Sequence, residues 1–247
     1  MGEGDMKVEP IGYAMGEKNF RGALVYDESV HAPQPALLMS PDWLGATDAA
    51  NERAGLLASH GYVAFVADMY GDNIRPRDFA AAAALANPLR GDPAEARRRI
   101  RAAYDAFVAE AGRRNLIDDR RAAVGFSFGG GNVLDLARDG ADLHAVVAIH
   151  GDLETRLPAR KGAVKAALLA IHGGPDPVVP KADRDAFEAE MDAAGAKWQM
   201  LVFGGVVHAY TDQGIDVPGI AQWDEPATRQ AYALTHAFVA DAFAGRL

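Results

Sequence analysis

The chain has 247 residues, of which 49% are hydrophobic and 24% are charged, and its formal net charge is −9. This acidic balance argues against general nucleic-acid binding, which needs a basic surface, and no apolar run reaches the ~18 residues of a membrane span. The sequence contains no cysteine, which excludes disulfides, thiolate metal sites and a thiol nucleophile.

The first ten residues, MGEGDMKVEP, lack the basic and then apolar order of a secretory signal and fit a myristoylation signal poorly. We therefore expect a cytoplasmic protein with no membrane or nucleic-acid partner, either a monomer or a homodimer. No internal repeat, low-complexity tract or linker interrupts the chain. The sequence therefore predicts one domain over residues 1–247.

Short apolar runs alternate with longer helical patterns along the chain. The predicted strands cover residues 22–27, 35–40, 62–69, 121–126, 145–150, 166–172 and 198–203. The predicted helices cover residues 48–61, 79–86, 93–113, 130–140, 181–195 and 225–243, with glycine caps expected at Gly61 and Gly195. Nearly continuous apolar strands are typical of strands covered on both faces. The alternation predicts an α/β fold with a mostly parallel central sheet and helices on both faces.

The functional site of such a sheet lies at the carboxyl ends of its strands, where one predicted strand leads into an unusual turn. The motif GFSFG at residues 125–129 follows this strand and precedes a helix. A nucleophile elbow needs glycine around a sharply bent serine whose hydroxyl meets a helix N-terminus. Ser127 would be that nucleophile, and the N–H of Phe128 would supply one oxyanion donor. The alternative is a glycine-rich turn in which Ser127 only caps the helix.

Asp176 and His208 follow two further predicted strands. Asp176 lies in GGPDPVVP after strand 166–172, and His208 lies in GGVVHAY after strand 198–203. A carboxylate can orient an imidazole that acts as general base toward a serine. Each residue is also explained without chemistry, Asp176 as a turn residue and His208 as a surface histidine. The chain order of serine, aspartate and histidine is that of the α/β-hydrolase arrangement and favours the catalytic interpretation.

The loop PDWLGATD at residues 41–48 follows an early predicted strand, where such enzymes place a second oxyanion donor. The backbone N–H of Trp43 is our candidate for that donor, and Asp42 precedes it. The alternatives are simple packing for Trp43 and an Asx turn for Asp42.

The chain resembles the dienelactone hydrolase family of α/β hydrolases over nearly its whole length. The likeness rests on PDWLG (41–45), HGYVAFVADMYGD (60–72), VGFSFGGGN (124–132), AIHGGPDPVVP (170–180), VVHAYTD (206–212) and VPGI (217–220). The resemblance implies an enzyme without a metal or cofactor that cleaves a carboxylic ester, lactone or thioester. A small-molecule ester or lactone would be its partner.

Three departures from the family pattern bear on mechanism and substrate. Family members commonly carry cysteine where this chain has Ser127, and glutamate where it has Asp42. The arginines that hold a substrate carboxylate in the dienelactone-cleaving members correspond to Asp72 and Asp212. Two carboxylates there would repel a third, so we expect a neutral or cationic ester, lactone or thioester.

The sequence thus predicts a serine-esterase mechanism with an acyl-enzyme. Ser127 would be the nucleophile, His208 the base and Asp176 its orienting group. The residues expected to line the substrate site are Asp42, Tyr70, Asp72, His150 and Asp212. Arg75 and Arg77 are interpreted either as anion ligands or as solvated loop residues. Two other functions stay open: a peptidase-like hydrolase, and a hydrolase-fold binding protein with impaired turnover.

Overall fold

The computed structural model describes residues 6–247, and the chain divides into two compact units, residues 1–123 and 124–247. The prediction that the chain lacks a targeting signal used residues 1–10, and residues 1–5 lie outside the described residues. The boundary between the units falls within the strand Ile117–Phe126. The single domain over residues 1–247 stays a prediction.

The first unit is built on two antiparallel strands followed by parallel ones. Its strands are β1 (Met6–Met15), β2 (Lys18–Asp27), β3 (Gln34–Ser40), β4 (Val63–Val66) and the start of β5 (Ile117–Phe126), and its helices are α1 (Asp48–Ala58), α2 (Phe79–Gly91) and α3 (Pro93–Arg113). β1 pairs antiparallel with β2, β2 pairs antiparallel with β4, and β4 pairs parallel with β3. The buried rings of Phe65 and Phe107 stack at 5.2 Å in its core.

The second unit contains parallel strands and a short antiparallel pair. Its strands are β6 (Ala145–Ile149), β7 (Ala167–Gly173), β8 (Trp198–Phe203), β9 (Asp216–Val217) and β10 (Ala221–Gln222), and its helices are α4 (Phe128–Arg138), α5 (Lys181–Ala194) and α6 (Glu225–Phe243). β6, β7 and β8 pair in parallel, and α4 and α6 contact β6. Every residue of β6 and β7 is buried. Because successive side chains point to opposite faces, both faces of these strands are covered.

These observations confirm the predicted α/β fold class with mostly parallel strands. The carboxyl ends of β5, β7 and β8 lead directly into the segments that carry the predicted catalytic side chains. No helix within residues 6–247 combines the length and apolar character needed to cross a membrane.

β1 and β4 differ from the sequence prediction for a physical reason. β1 has no predicted counterpart, because its residues alternate between half-buried and exposed and Pro10 lacks a backbone donor. β4 ends at Val66, whereas the prediction over 62–69 continued through Ala67 to Met69. Residues 67–69 are buried. Their apolar character therefore reflects burial in the core and does not indicate strand pairing.

The two helix ends for which a glycine cap was predicted have different outcomes. α5 ends at Gly195, which takes the left-handed conformation with φ 69° as predicted. α1 ends at Ala58 and has Ser59 as its C-cap, and the predicted cap Gly61 follows in a left-handed turn with φ 88°. The prediction over 48–61 was therefore wrong at this end.

Candidate active site

Ser127 occupies the sharp bend between β5 and α4. Its φ of 51° and ψ of −121° place a non-glycine residue in a sparsely populated region that costs about 1–3 kcal/mol. α4 begins at Phe128, two residues before the predicted start, so the serine directly precedes the helix. A Cβ on Gly125 would lie 2.1 Å from the carbonyl oxygen of Gly129. Position 125 of this bend therefore requires glycine.

The side chain of Ser127 contacts a histidine and does not cap the helix. Ser127 stands at the N-cap position of α4, but its side chain makes no capping hydrogen bond. Its Oγ atom lies 2.8 Å from Nε2 of His208, and both residues are buried. The capping alternative therefore has no support in the observed contacts.

His208 is held by its backbone against the short hairpin of β9 and β10. Its N–H donates to the carbonyl of Ile220 at 3.1 Å, and its own carbonyl accepts from the N–H of Gln222 at 3.1 Å. These bonds form an isolated parallel bridge with Ala221. The hairpin thereby fixes the backbone that carries the imidazole.

Asp176 completes a row of three side chains. Its Oδ2 atom lies 2.8 Å from Nδ1 of His208, and its Oδ1 atom accepts from the N–H groups of Val178 and Val179 at 2.8 and 3.0 Å. Burial raises the pKa of the Asp176 carboxyl. The hydrogen bond and charge of His208 and the two backbone N–H groups outweigh burial and hold the pKa below its ordinary value.

The geometry of this row assigns the tautomer of His208. An ionised Asp176 can only accept, so Nδ1 of His208 must carry the hydrogen that lies between them. In a neutral imidazole the other nitrogen, Nε2, is then an acceptor. Nε2 faces Ser127 Oγ and can receive the hydroxyl proton from it.

His150 and Asp212 were predicted to line the substrate site, and the structure places both beside the segment that carries His208. The buried ring of His150 lies edge-on to the His208 ring, with centroids 5.1 Å apart. Its Nε2 atom lies 2.8 Å from Oγ1 of Thr211. Asp212 is half-buried, and its Oδ1 atom accepts from the N–H of Gly214 at 3.0 Å. The substrate-binding roles of both residues stay predictions.

Asp42, Trp43 and Tyr70 lie in the first unit. The Oδ1 atom of Asp42 accepts from the N–H of Leu44 at 2.8 Å, which is the Asx-turn contact of the alternative interpretation, and Oδ2 lies 3.7 Å from Arg53. The hydroxyl of Tyr70 donates to the carbonyl of Trp43 at 2.6 Å. These contacts give the loop a defined shape, whereas its roles in substrate and oxyanion binding stay predictions.

The segment after Tyr70 carries Asp72 and Arg75. Asp72 is exposed with φ 50°, and its N–H donates to the carbonyl of Asn19 at 2.7 Å. Arg75 lies 3.7 Å from the buried Asp68 and donates to the carbonyl of Arg21 at 3.2 Å. Arg75 thus contacts groups of its own unit, which favours a structural role over anion binding.

Asp68 and Arg184 are among the buried charged residues that the sequence analysis does not single out. Asp68 accepts from the N–H groups of Tyr70 and Gly71 and so shapes the segment after β4. Arg184 is buried on α5 together with Phe187 and Met191. The spacing of three and four residues places the arginine on the apolar stripe of the helix, which was the available signal.

Within residues 6–247 the structure brings no three His, Asp or Glu side chains together in a group that could hold a metal ion. The α/β fold and the strained serine between strand and helix define the protein as an α/β hydrolase. Residues 20–243 match the family model described as the dienelactone hydrolase family.

Three known proteins illustrate the likeness. A dienelactone hydrolase-like promiscuous phosphotriesterase from metagenomic libraries is 33% identical, with a TM-score of 0.88 over 97% of this chain and 99% of its own. A structure named m3DLH is 34% identical, with a TM-score of 0.90 over 97% and 100%. A Salmonella typhimurium protein provisionally named a carboxymethylenebutenolidase is 26% identical over 71% of this chain and 67% of its own length. The chain belongs to the dienelactone hydrolase family, and it is an ester hydrolase.

Proposed function

We propose that the protein hydrolyses a carboxylic ester, lactone or thioester through a Ser127-His208-Asp176 triad and an acyl-enzyme. One observation carries this proposal: Ser127 Oγ and Asp176 Oδ2 each lie 2.8 Å from a different ring nitrogen of His208. A hydroxyl needs a neighbouring base to become a nucleophile near neutral pH, and the row provides one.

The reaction begins when Ser127 Oγ attacks the carbonyl carbon and His208 Nε2 takes the hydroxyl proton. The resulting oxyanion would accept hydrogen bonds from the sequence-based candidates, the N–H groups of Phe128 and Trp43. His208 then returns the proton to the leaving oxygen or sulfur as the bond to the acyl carbon breaks. In the second half a water gives its proton to His208 and attacks the acyl carbon, and Ser127 regains the proton as the acid leaves.

Asp176 holds the imidazole in the required tautomer. Its ionised carboxylate also stabilises the imidazolium that forms in both halves of the reaction. The two backbone N–H groups on its other oxygen fix the direction of the carboxylate. Asp176 therefore keeps its negative charge throughout the cycle.

We propose neutral or cationic substrates. Asp212 lies four residues after His208, and a substrate carboxylate brought near it would be repelled. The proposed lining residues are Asp42, Tyr70, Asp72, His150 and Asp212. Neutral and carboxylate-bearing esters with the same leaving group test this, and the neutral ester is expected to have the higher kcat/KM.

Phosphotriester cleavage is a second candidate, favoured by the 33% identity to a promiscuous phosphotriesterase. Ser127 Oγ would bond to phosphorus, the aryloxide would leave and His208 would take the serine proton. Release of aryloxide from an aryl phosphotriester that Ser127→Ala abolishes would support this activity, and no release above the uncatalysed rate would exclude it.

A fluorophosphonate probe tests the nucleophile. We expect it to label the wild-type protein and not Ser127→Ala, with loss of ester hydrolysis in that variant. Labelling that survives the substitution would contradict the proposal. Ser127→Cys distinguishes an active serine enzyme from an impaired binding protein, because only the latter is expected to gain activity strongly. The cytoplasmic location and the monomeric or homodimeric state stay predictions.

A further inference from the structure

Arg184 is a buried arginine whose guanidinium binds backbone carbonyls. Its Nη1 atom donates to the carbonyls of Gly173 and Val179 at 2.9 and 3.3 Å, and Nη2 donates to the carbonyl of Gly174 at 3.1 Å. Only 7% of the residue is exposed. Among the salt bridges of residues 6–247, none involves its guanidinium. A buried charge is costly unless its hydrogen bonds are well made.

The three carbonyls flank Asp176 on both sides in the chain. Gly173 and Gly174 precede the aspartate and Val179 follows it, so we call residues 173–179 the aspartate loop. Val179 also donates its N–H to Oδ1 of Asp176. Through the backbone of this one residue the guanidinium is connected to the carboxylate that faces His208.

The aspartate loop also contacts the segment that leads to His208. A Cβ on Gly173 would lie 2.1 Å from the carbonyl oxygen of Val206 and 3.1 Å from that of Val207. Backbone meets backbone at this contact, so a shift of Gly173 would displace the residues directly before His208. Arg184 thus fixes the peptides next to both members of the pair Asp176 and His208.

We propose that Arg184 is a positioning residue that sets the direction of the Asp176 carboxylate toward His208. This inference rests on the proposed function of the triad. The planar fork of a guanidinium carries several donors in a fixed arrangement, which matches three carbonyls of one loop. A lysine has a single nitrogen on a flexible stem and cannot reproduce this arrangement.

The test compares Arg184→Met and Arg184→Lys in the wild-type background and in Asp176→Asn. We expect Arg184→Met to lower kcat by about 10–100-fold, the range found when groups that orient metal ligands are removed, with KM changed less than about threefold. Arg184→Lys is expected to lie between Met and wild type. In the Asp176→Asn background the same Met substitution is expected to change kcat by less than about threefold.

Arg138→Met is the matched control. Arg138 is equally buried in the same unit, but it pairs with Glu190 at 2.8 Å and donates to the carbonyl of Leu153. We expect this variant to lose stability while kcat per folded molecule stays within about twofold of wild type. Folded protein is quantified by circular dichroism below each unfolding midpoint. If Arg184→Met does not fold, the kcat of Arg184→Lys in the wild-type and Asp176→Asn backgrounds tests the positioning role.

The positioning role would be overturned if Arg184→Met lowered kcat equally in the wild-type and Asp176→Asn backgrounds. It would also be overturned if neither Arg184 variant lost activity. Full activity of Asp176→Asn and Ser127→Ala would instead overturn the proposed function on which the inference rests. Loss of activity in those two variants, with unchanged Arg184 variants, would contradict only the role of Arg184.

Discussion

The Nε2 atom of His150 lies 2.8 Å from Oγ1 of Thr211, three residues beyond His208, and the His150 ring lies edge-on to the imidazole of His208. Both side chains are buried. The contact therefore joins the end of β6 to the segment that carries the proposed base.

Thr211→Val removes the hydroxyl of this pair while keeping the volume of the side chain. Because a buried polar partner is left behind, we expect the free energy of unfolding to fall by about 1–3 kcal/mol, and kcat to fall with it. Urea unfolding and steady-state kinetics measure both effects. Thr235→Val is the control, since its hydroxyl bonds only the Ala231 carbonyl within α6. Equal behaviour of the two variants would contradict a role for the His150 contact.

Gly125→Ala tests the strained bend at Ser127. The added Cβ would lie 2.1 Å from the Gly129 carbonyl oxygen, and such overpacking costs about 1–3 kcal/mol. We expect lower thermal stability and a large loss of kcat, because the serine must move. Gly112→Ala, where nothing lies within 4 Å of the added Cβ, is expected to gain up to about 1 kcal/mol in its helix. A fully active Gly125→Ala would refute the requirement for glycine.

Asp176→Asn tests the orienting carboxylate. The amide is nearly isosteric, but it can donate to Nδ1 and favour the wrong tautomer of His208. We expect kcat to fall by about 10³–10⁴-fold, as in other serine triads, with KM changed little. Active-site concentration and folding are verified first. A loss smaller than about tenfold would contradict the assigned role of Asp176.

His172 predicts how stability depends on pH. Burial, together with the charges of Arg184 and His208 and against that of Asp176, lowers the pKa of this fully buried histidine to about 3. The unfolded chain has the ordinary value of about 6.5, so between these values only the unfolded state binds the proton. The free energy of unfolding therefore falls as the pH decreases below about 6.5, by up to about 1.4 kcal/mol per pH unit.

His172→Leu removes this proton uptake. We expect the free energy of unfolding of the wild type to fall more steeply than that of the variant from pH 7 to pH 5. Urea titrations at three pH values within this range provide the slopes. Parallel slopes would show that His172 does not titrate in this way.

The sequence was sufficient for the fold class and for the residues that meet at the candidate site. The apolar stretches AAVGF, ALLAI and MLVF lie in β5, β7 and β8, so the ends of these strands could be located. Ser127, Asp176 and His208 each follow one of them. The carboxyl ends of parallel strands collect at one edge. This geometric rule predicts that three residues far apart in the chain lie in a single site.

Other features leave no such pattern in the sequence. β9 and β10 have two residues each, and they hold His208 through backbone bonds that any residues could make. Arg184 lies in the helix predicted over residues 181–195, where the sequence analysis does not single it out, because charged side chains are rarely buried. Its role depends on carbonyl groups of the aspartate loop, whose directions only the folded backbone defines.

The most direct test of the account is to trap the acyl-enzyme. The protein is mixed with an activated ester, quenched in acid within the first turnover, and digested with trypsin, which releases residues 122–138 with Ser127 as their only serine. The proposed serine mechanism predicts that this peptide gains the mass of the acyl group in the wild type and not in Ser127→Ala. Rapid ester hydrolysis by Ser127→Ala, with no acylated peptide in the wild type, would contradict it.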